Sequence, residues 1–345
     1  MQIPFTKIPK PESLIPVVSE VLRSGQFVAG KRVEKFEARW AEMCHVNYCA
    51  AVSSGSAAIE LALRATLPPG STVIVPALSF AASAMAVVAA GMQCVFVDVE
   101  TDGLLDWRAV DDCCDTAGLL YDAILPVFLY GQAVLQPHIT ADGVVVIGDM
   151  AQAHDLTAKG CDAACFSFYP SKNLGACGEA GAVVSDDKYL IDRVQRMSDY
   201  GRPRGDKHGH QGYGSNLRMD ELQAAILLHK LPFLDEWNRS RIWMAERYRE
   251  AGIASFTFSG GNVNHLYPVR VTNPTLVQQR MREAGVETGI HYPYTLPELF
   301  GGGERGNRYP HAEAIAHGHI TLPMGPGYSQ DEIYAVVEAF RHATQ

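Results

Sequence analysis

Between residues 48 and 184, short runs of β-forming residues alternate with helical patterns. Several of these runs are apolar at consecutive positions, which is typical of strands buried on both faces. Strands that alternate with helices in this way predict an α/β fold, in which helices cover both faces of a mainly parallel sheet. The predicted strands are 48–52, 72–75, 94–97, 123–127, 144–147, 164–168 and 181–184.

The pattern changes after a long helical stretch at about residues 220–250. Residues 264–345 are typical of a smaller α+β unit, with a strand at 265–271, a helix at 274–284 and a closing helix at 330–342. We therefore expect a large domain over residues 1–235 and a small C-terminal domain over residues 236–345. At 345 residues the chain is long enough to bury a substantial core.

Chemically versatile residues follow three of the predicted strands. Ser54-Gly55-Ser56 follows the first strand, Asp149 follows the run 144–147, and Lys172 follows the strand 164–168. Ligands bind at the carboxyl ends of strands in open parallel sheets, so we expect these residues to lie at one edge. Hydroxyl and N–H groups at the start of a helix suit a phosphate group, although the same run also suits a plain capped turn.

A lysine and an aspartate at two strand ends are the minimal equipment for holding pyridoxal phosphate. The lysine forms a Schiff base with the aldehyde, and the carboxylate keeps the pyridine nitrogen protonated so that the ring withdraws electrons. The apolar and aromatic run 166–170 precedes Lys172 and should lower the pKa of its amine from about 10.4 towards neutrality. Taken singly, such a lysine is usually a surface residue and such an aspartate a turn or cap.

Composition excludes several classes of function. The formal net charge of −9 and the lack of a basic block argue against nucleic acid and anionic membranes as partners. No signal-peptide pattern is present, and no apolar run approaches the roughly 20 residues of a membrane helix. The eight cysteines match neither a disulfide scaffold nor a zinc pattern, which favours the cytoplasm. His208 and His210 lack companion ligands, so we expect no metal site.

Further motifs resemble those of the DegT/DnrJ/EryC1/StrS aminotransferases, over nearly the whole chain. The run 212–225 is similar to the family signature Gly-x-Asn-x-Arg-Met-x-x-x-Gln-Ala, and His291-Tyr292-Pro293 is similar to the family's His-Tyr-Pro. The resemblance implies the type I fold of aminotransferases that use pyridoxal phosphate. It also implies a homodimer with shared active sites.

The resemblance assigns cofactor roles beyond those of Lys172 and Asp149. It implies that the ring of Phe80 stacks on the cofactor and that Gln152 lies near the ring hydroxyl. Ser167 would contact the phosphate together with Gly55 and Ser56.

The same resemblance assigns roles to residues of the two later motifs. Asn216 would reach the phosphate bound by the partner subunit. Arg218 would contact substrate, and we expect its paired donors to suit a glutamate carboxylate or a diphosphate. His291 and Tyr292 would face a sugar substrate from the small domain.

The implied activity is transfer of an amino group from an amino acid, with glutamate expected, to a keto group of a nucleotide-linked deoxysugar. Lys172 would be the general base and acid. Relatives that deoxygenate sugars carry histidine in place of this lysine, so that reaction is disfavoured. Two alternatives stay open: a cyclitol or other non-nucleotide ketone as acceptor, and a non-catalytic protein of the same fold that regulates or senses.

Overall fold

The computed structural model describes residues 2–8, 11–117, 120–134, 143–157, 160–206, 208–257, 261–300 and 308–345. The strands of its large sheet are β1 (Tyr48–Val52), β2 (Thr72–Pro76), β3 (Gln93–Val97), β4 (Ala123–Ile124), β5 (Val145–Asp149), β6 (Ala163–Ser167) and β7 (Gly181–Ser185). The seven strands follow the order β1-β7-β6-β5-β4-β2-β3. Strand β7 is antiparallel to both of its neighbours, and every other pair is parallel. The sheet is therefore mainly parallel, as predicted, and all strands except β7 direct their carboxyl ends to one edge.

Helices connect these strands and cover the sheet. They are α1 (Ile15–Ser24), α2 (Lys31–Met43), α3 (Gly55–Thr66), α4 (Ala81–Ala89), α5 (Trp107–Ala117), α6 (Lys188–Ser198) and α7 (Glu221–Lys230). None of the helices in the described ranges has the length and apolar character needed to cross a membrane.

Successive residues of the strands belong to two different cores. In β1, Ala50 packs with Leu61 of α3 on one face of the sheet. The next residue, Ala51, packs with Trp40 of α2 on the opposite face. Both faces are thus buried, which explains why the runs are apolar at consecutive positions instead of alternating.

The rest of the chain forms a second, smaller layer. Its elements are α8 (Leu234–Glu250), β8 (Tyr267–Arg270), α9 (Pro274–Glu283), α10 (Leu296–Phe300), α11 (Pro310–His317), β9 (His319–Leu322) and α12 (Gln330–Thr344). Strands β8 and β9 are antiparallel and share a core with α9, α12 and the second half of α8. The sequence predicted β8, α9 and α12 but not β9, α10 or α11. The predicted helical stretch 220–250 is interrupted by a 3₁₀ turn at Leu231–Phe233, where Pro232 lacks an N–H donor.

The N-terminal segment belongs to this second layer. Ile3 is buried in its core, and its N–H donates to the carbonyl oxygen of Gly285 at 2.8 Å. The carbonyl oxygen of Ile3 accepts the N–H of Glu287 at 3.0 Å. The domain division after residue 235 falls at the start of α8, and it stays a prediction.

Candidate active site

Lys172 lies in the loop between β6 and β7, and this loop is held by its own backbone. The N–H of Lys172 donates to the carbonyl oxygen of Tyr169 at 2.8 Å. Phe168 is fully buried, and its carbonyl oxygen accepts the N–H of Ala176 at 2.7 Å. The loop thus folds back on a buried aromatic residue, which fixes Lys172 at the edge where the parallel strands end.

His154 connects this loop to the end of β6. Its Nδ1 accepts the N–H of Leu174 at 3.0 Å, so Nε2 carries the proton and donates to the carbonyl oxygen of Ser167 at 2.9 Å. Burial, helped by the positive charge of Lys172, lowers the pKa of His154 to about 3. The imidazole is therefore neutral near pH 7, and its two hydrogen bonds hold the loop against the end of β6.

Asp149 ends β5 as a buried carboxylate with defined partners. Its Oδ2 accepts the hydroxyl of Ser83 at 2.8 Å, and its Oδ1 accepts the N–H of Ala151 at 3.1 Å. Burial raises the pKa of Asp149, although these two bonds and the charge of Lys172 oppose that effect. Burial lowers the pKa of Lys172 to about 8, against the attraction of Asp149. The structure thus brings Lys172 and Asp149 together at this edge, and their roles in holding the cofactor stay predictions.

The side chain of Gln152 connects two other segments of the chain beside this pair, at Tyr130 and at Tyr292. Its Oε1 accepts the N–H of Tyr130 at 2.6 Å, and its Nε2 donates to the hydroxyl of Tyr292 at 2.8 Å. The ring centroids of Tyr292 and Phe80 are 5.5 Å apart. Burial raises the pKa of Tyr292, so its hydroxyl keeps its proton near neutral pH. The structure thus brings Gln152, Tyr292 and Phe80 together as one group.

A small cavity of about 90 Å³ adjoins Lys172, and its lining includes His291, Tyr292 and Phe5. The carbonyl oxygen of His291 accepts the hydroxyl of Tyr130 at 2.6 Å. The imidazole ring of His291 stacks on the ring of Phe5, with the two centroids 5.4 Å apart. Burial, His319 and Lys172 lower the pKa of His291 to about 4. The predicted substrate residues of the small domain therefore face Lys172 in a neutral state.

The residues predicted to bind phosphate lie where α3 begins. The hydroxyl of Ser54 caps the helix by accepting the N–H of Ala57 at 3.1 Å. A Cβ atom added at Gly55 would lie only 2.6 Å from Cβ of Ser167, so this close approach requires glycine. Gly55, Ser167 and the exposed Ser56 thus meet at the N-terminus of a helix, which is a favourable place for an anion.

Asn216 and Arg218 do not join this group within one chain. Asn216 is exposed, and its backbone pairs with that of Asp199. Arg218 forms an ion pair with the carboxylate of Asp199 and lies 5.5 Å from the ring centroid of Tyr200. No contact of either residue with Lys172 occurs among the described residues. Their predicted roles at the partner's site and with substrate stay predictions.

Sequence reasoning missed Ser83 and Tyr130, which orient Asp149 and Gln152. A signal for Ser83 was present: Ser79 and Ser83 are four residues apart, polar and buried in an alanine-rich stretch, and their hydroxyls lie 2.8 Å apart. Tyr130 carries no comparable signal, because its main contribution to Gln152 is a backbone N–H.

Comparisons with known proteins decide the family. The model of the DegT/DnrJ/EryC1/StrS aminotransferase family matches residues 10–341. The chain belongs to this family. It is 36% identical to "Erythromycin biosynthesis sensory transduction protein EryC1" of Saccharopolyspora erythraea, with 92% of this chain and 93% of that protein aligned.

One curated relative with a catalytic description and one solved structure are also similar to this chain. The chain is 34% identical to "dTDP-3-amino-3,4,6-trideoxy-alpha-D-glucose transaminase" of Streptomyces venezuelae, over 94% of this chain and 90% of that protein. A crystal structure of S. venezuelae DesV in complex with a ketimine intermediate superposes with a TM-score of 0.89 at 31% identity, covering 100% of this chain and 99% of that one. The protein is thus a transaminase that depends on pyridoxal phosphate.

The residues present fit this cofactor. An amine with a lowered pKa lies beside a buried carboxylate, and the lack of a side chain at Gly55 lets the start of α3 approach Ser167 closely. When bound, the cofactor supplies an electrophilic ring that accepts the electrons of a broken C–H bond. Lys172 would hold its aldehyde carbon, Asp149 its ring nitrogen, and the start of α3 its phosphate.

Proposed function

We propose that the protein transfers the amino group of an amino acid, glutamate in the first instance, to a keto group of a nucleotide-linked deoxysugar. The observation that carries this proposal is Lys172 held beside Asp149, next to a cavity bounded by His291 and Tyr292. Relatives that align over nearly the whole chain support the acceptor class, because their names specify dTDP- and UDP-linked amino sugars.

Lys172 performs the proton transfers in this proposal. With a pKa of about 8, a useful fraction of the amine is neutral near pH 7.5 and would be available to hold the aldehyde carbon of the cofactor. When the donor is bound, Nζ of Lys172 would take the proton from the donor's α carbon and hold it for return later in the cycle. The same amine returns a proton to the new C–N carbon of the acceptor in the second half of the cycle.

The remaining site residues position the reacting groups. Asp149, oriented by Ser83, keeps the ring nitrogen protonated. Gln152 and Phe80 would bound the ring of the cofactor, while Tyr292 supplies a protonated hydroxyl to the same group of residues. His291 remains neutral and therefore acts as a hydrogen-bonding group for substrate hydroxyls.

A homodimer with shared sites is part of this proposal, and the exposed position of Asn216 supports it. This residue is exposed in one chain, and Arg218 beside it is held by Asp199 at the edge of the sheet next to β1. We infer that Asn216 completes the phosphate site of the partner. The free thiols of Cys44, Cys49, Cys94, Cys165 and Cys177 support a reducing cytoplasm.

Mixing two inactive variants tests the shared site. Lys172→Ala and Asn216→Ala should each be impaired, and co-refolded mixtures should regain activity, since mixed dimers contain one intact site. If both residues served the same subunit's site, mixing would restore nothing.

The reaction itself is tested with visible spectroscopy of the purified protein. We expect a yellow protein that glutamate bleaches, and a Lys172→Ala variant that glutamate does not bleach. Lys188→Ala is the matched control, because Lys188 is an exposed lysine paired only with Asp192. A yellow wild-type protein indifferent to every amino acid would contradict transamination and favour a sensing role.

The acceptor is then identified by recovery of colour. After bleaching and removal of glutamate, dTDP- and UDP-linked keto-sugars should restore the yellow band. Recovery with a keto-cyclitol or a sugar phosphate, and not with nucleotide sugars, would replace the proposed acceptor by a non-nucleotide ketone.

A further inference from the structure

Arg241 is a buried cation without an acidic partner. Its side chain is 4% exposed. Its Nη1 donates to the carbonyl oxygens of His265 at 3.1 Å and Met324 at 3.4 Å, and its buried Nε has no hydrogen-bond partner. No aspartate or glutamate forms an ion pair with Arg241 among the described residues, and Tyr328 is the neighbour whose charge opposes the effect of burial on the pKa of Arg241. A buried charge is costly when it is left unpaired, so this arrangement favours an anionic ligand.

The cavity next to Lys172 is where such a ligand would enter. Arg241 lines this cavity together with Lys172, His265 and Thr6. Burial, with the charges of Lys172 and Arg241, lowers the pKa of His265, so that imidazole is neutral and does not compete for the anion. The cavity therefore presents the Arg241 cation, the amine of Lys172 and polar groups of the chain, with no carboxylate in its described lining.

Size and chemistry select the ligand class. At about 90 Å³ the cavity is several times the roughly 10–15 Å³ that one water needs, which suits a carboxylate and is small for a sugar ring with its nucleotide. A guanidinium offers paired donors that match the two oxygens of a carboxylate. Of the two substrates in the proposed cycle, the amino-acid donor is the one that is small enough for this cavity and carries a carboxylate.

We propose that Arg241 binds a carboxylate of the amino-acid donor in the cavity beside Lys172. This inference rests on the proposed function. It assigns donor recognition to Arg241 of the same chain, whereas Arg218 already has Asp199 as its ion-pair partner. Arg241 belongs to α8, so this helix would contribute a residue to the binding of the donor.

The test compares two reactions of the yellow holoenzyme. Arg241→Gln should weaken the apparent affinity for glutamate by about 10- to 100-fold, the loss expected for a charge-assisted pair. Its reaction with hydroxylamine, which removes the lysine-linked cofactor and carries no carboxylate, should stay within about twofold of wild type. Arg239→Gln is the matched control: it lies on the same helix, is 71% exposed and pairs with Asp235 at 3.0 Å.

Two amino acids locate the carboxylate concerned. Norvaline has the α-carboxylate of glutamate but no side-chain carboxylate. An equal loss with both donors assigns Arg241 to the α-carboxylate, and a loss confined to glutamate assigns it to the side chain. Arg241→Lys, which keeps the charge without paired donors, should fall between wild type and Arg241→Gln.

Several results would overturn the assignment. Unchanged affinity of Arg241→Gln for both amino acids would do so, and so would equal losses with glutamate and hydroxylamine, which indicate a distorted site. A binding measurement covers variants that fold poorly: glutarate, an unreactive dicarboxylate, should compete with glutamate in wild-type holoenzyme, and failure to compete counts against a carboxylate site. Failure of the wild type to react with any amino acid would instead refute the proposed function.

Discussion

Replacing Lys172 by methionine should stabilise the cofactor-free protein near neutral pH while it abolishes the proposed reaction. Burial lowers the pKa of the Lys172 amine from 10.5 to about 8. One pKa unit is worth about 1.4 kcal/mol at 25 °C, so keeping the protonated amine in the folded site costs roughly 3 kcal/mol. Methionine has a similar length and no charge. The pKa of about 8 already includes the attraction of Asp149, so we expect a gain of up to about 3 kcal/mol in the free energy of unfolding, reduced by any misfit of the methionine side chain.

The gain should depend on pH with a defined sign. The folded-state pKa of Lys172 lies below the unfolded value, so its penalty is fully present below pH 8 and disappears as the pH rises towards 10.5. The difference in unfolding free energy between Lys172→Met and wild type should therefore be largest near pH 7. By pH 9.5 it should have shrunk by about half.

Urea unfolding of both cofactor-free proteins, at pH 7.0 and pH 9.5 and at equal concentrations, measures this difference. Lys188→Met is the control, because Lys188 is exposed and paired with Asp192 on the surface of α6. Its effect should stay within about 0.5 kcal/mol at both pH values. A Lys172→Met variant less stable than wild type at pH 7, or a gain that does not change with pH, would refute the reasoning.

Three further substitutions test the supporting contacts. Ser83→Ala removes the hydroxyl 2.8 Å from Asp149 and should weaken pyridoxal phosphate binding by about tenfold in a fluorescence titration; unchanged affinity would show that Asp149 needs no such support. Tyr130→Phe removes the bond to the carbonyl oxygen of His291 and should lower the free energy of unfolding in urea by about 1 kcal/mol, with no loss expected if that carbonyl readily finds water. Gly55→Ala places a methyl group against the neighbouring serine and should reduce cofactor retention in equilibrium dialysis at least about tenfold, and full retention would contradict the close approach.

The sequence predicted the sheet well because burial on both faces leaves a direct mark. The run 48–52 coincides with β1, and each of the other predicted strands overlaps a strand of the structure. The direction of a strand leaves no such mark in the sequence. Strand β7 is as apolar as its neighbours β1 and β6, yet it runs antiparallel to both. Strand β9 was missed because His319 and Thr321 interrupt its apolar pattern, although both are fully buried.

The sequence predicted that Asp149 and Lys172 lie near each other, and the structure brings them together, whereas their roles with the cofactor stay predictions. Asp149 and Lys172 each follow a strand, so the rule for parallel sheets brings them together. Ser83 and Arg241 could not be predicted in this way, because both come from helices distant in the chain. The significance of Arg241 lies in the lack of an acidic neighbour among the described residues, and only three-dimensional packing shows that property.

The docking of the N-terminal segment into the second layer has a consequence for synthesis of the protein. Phe5 and Thr6 line the cavity, and Phe5 is held by a bond from its N–H to Glu287 at 3.1 Å, 282 positions later in the chain. Ribosomes add about 5–20 residues per second, so the N-terminal segment is synthesised on the order of 15–55 s before Glu287, which it contacts. Throughout that interval the wall of the cavity is missing. The cavity is therefore completed only late in translation. Before that point the nascent chain has no complete pocket in which to bind the cofactor.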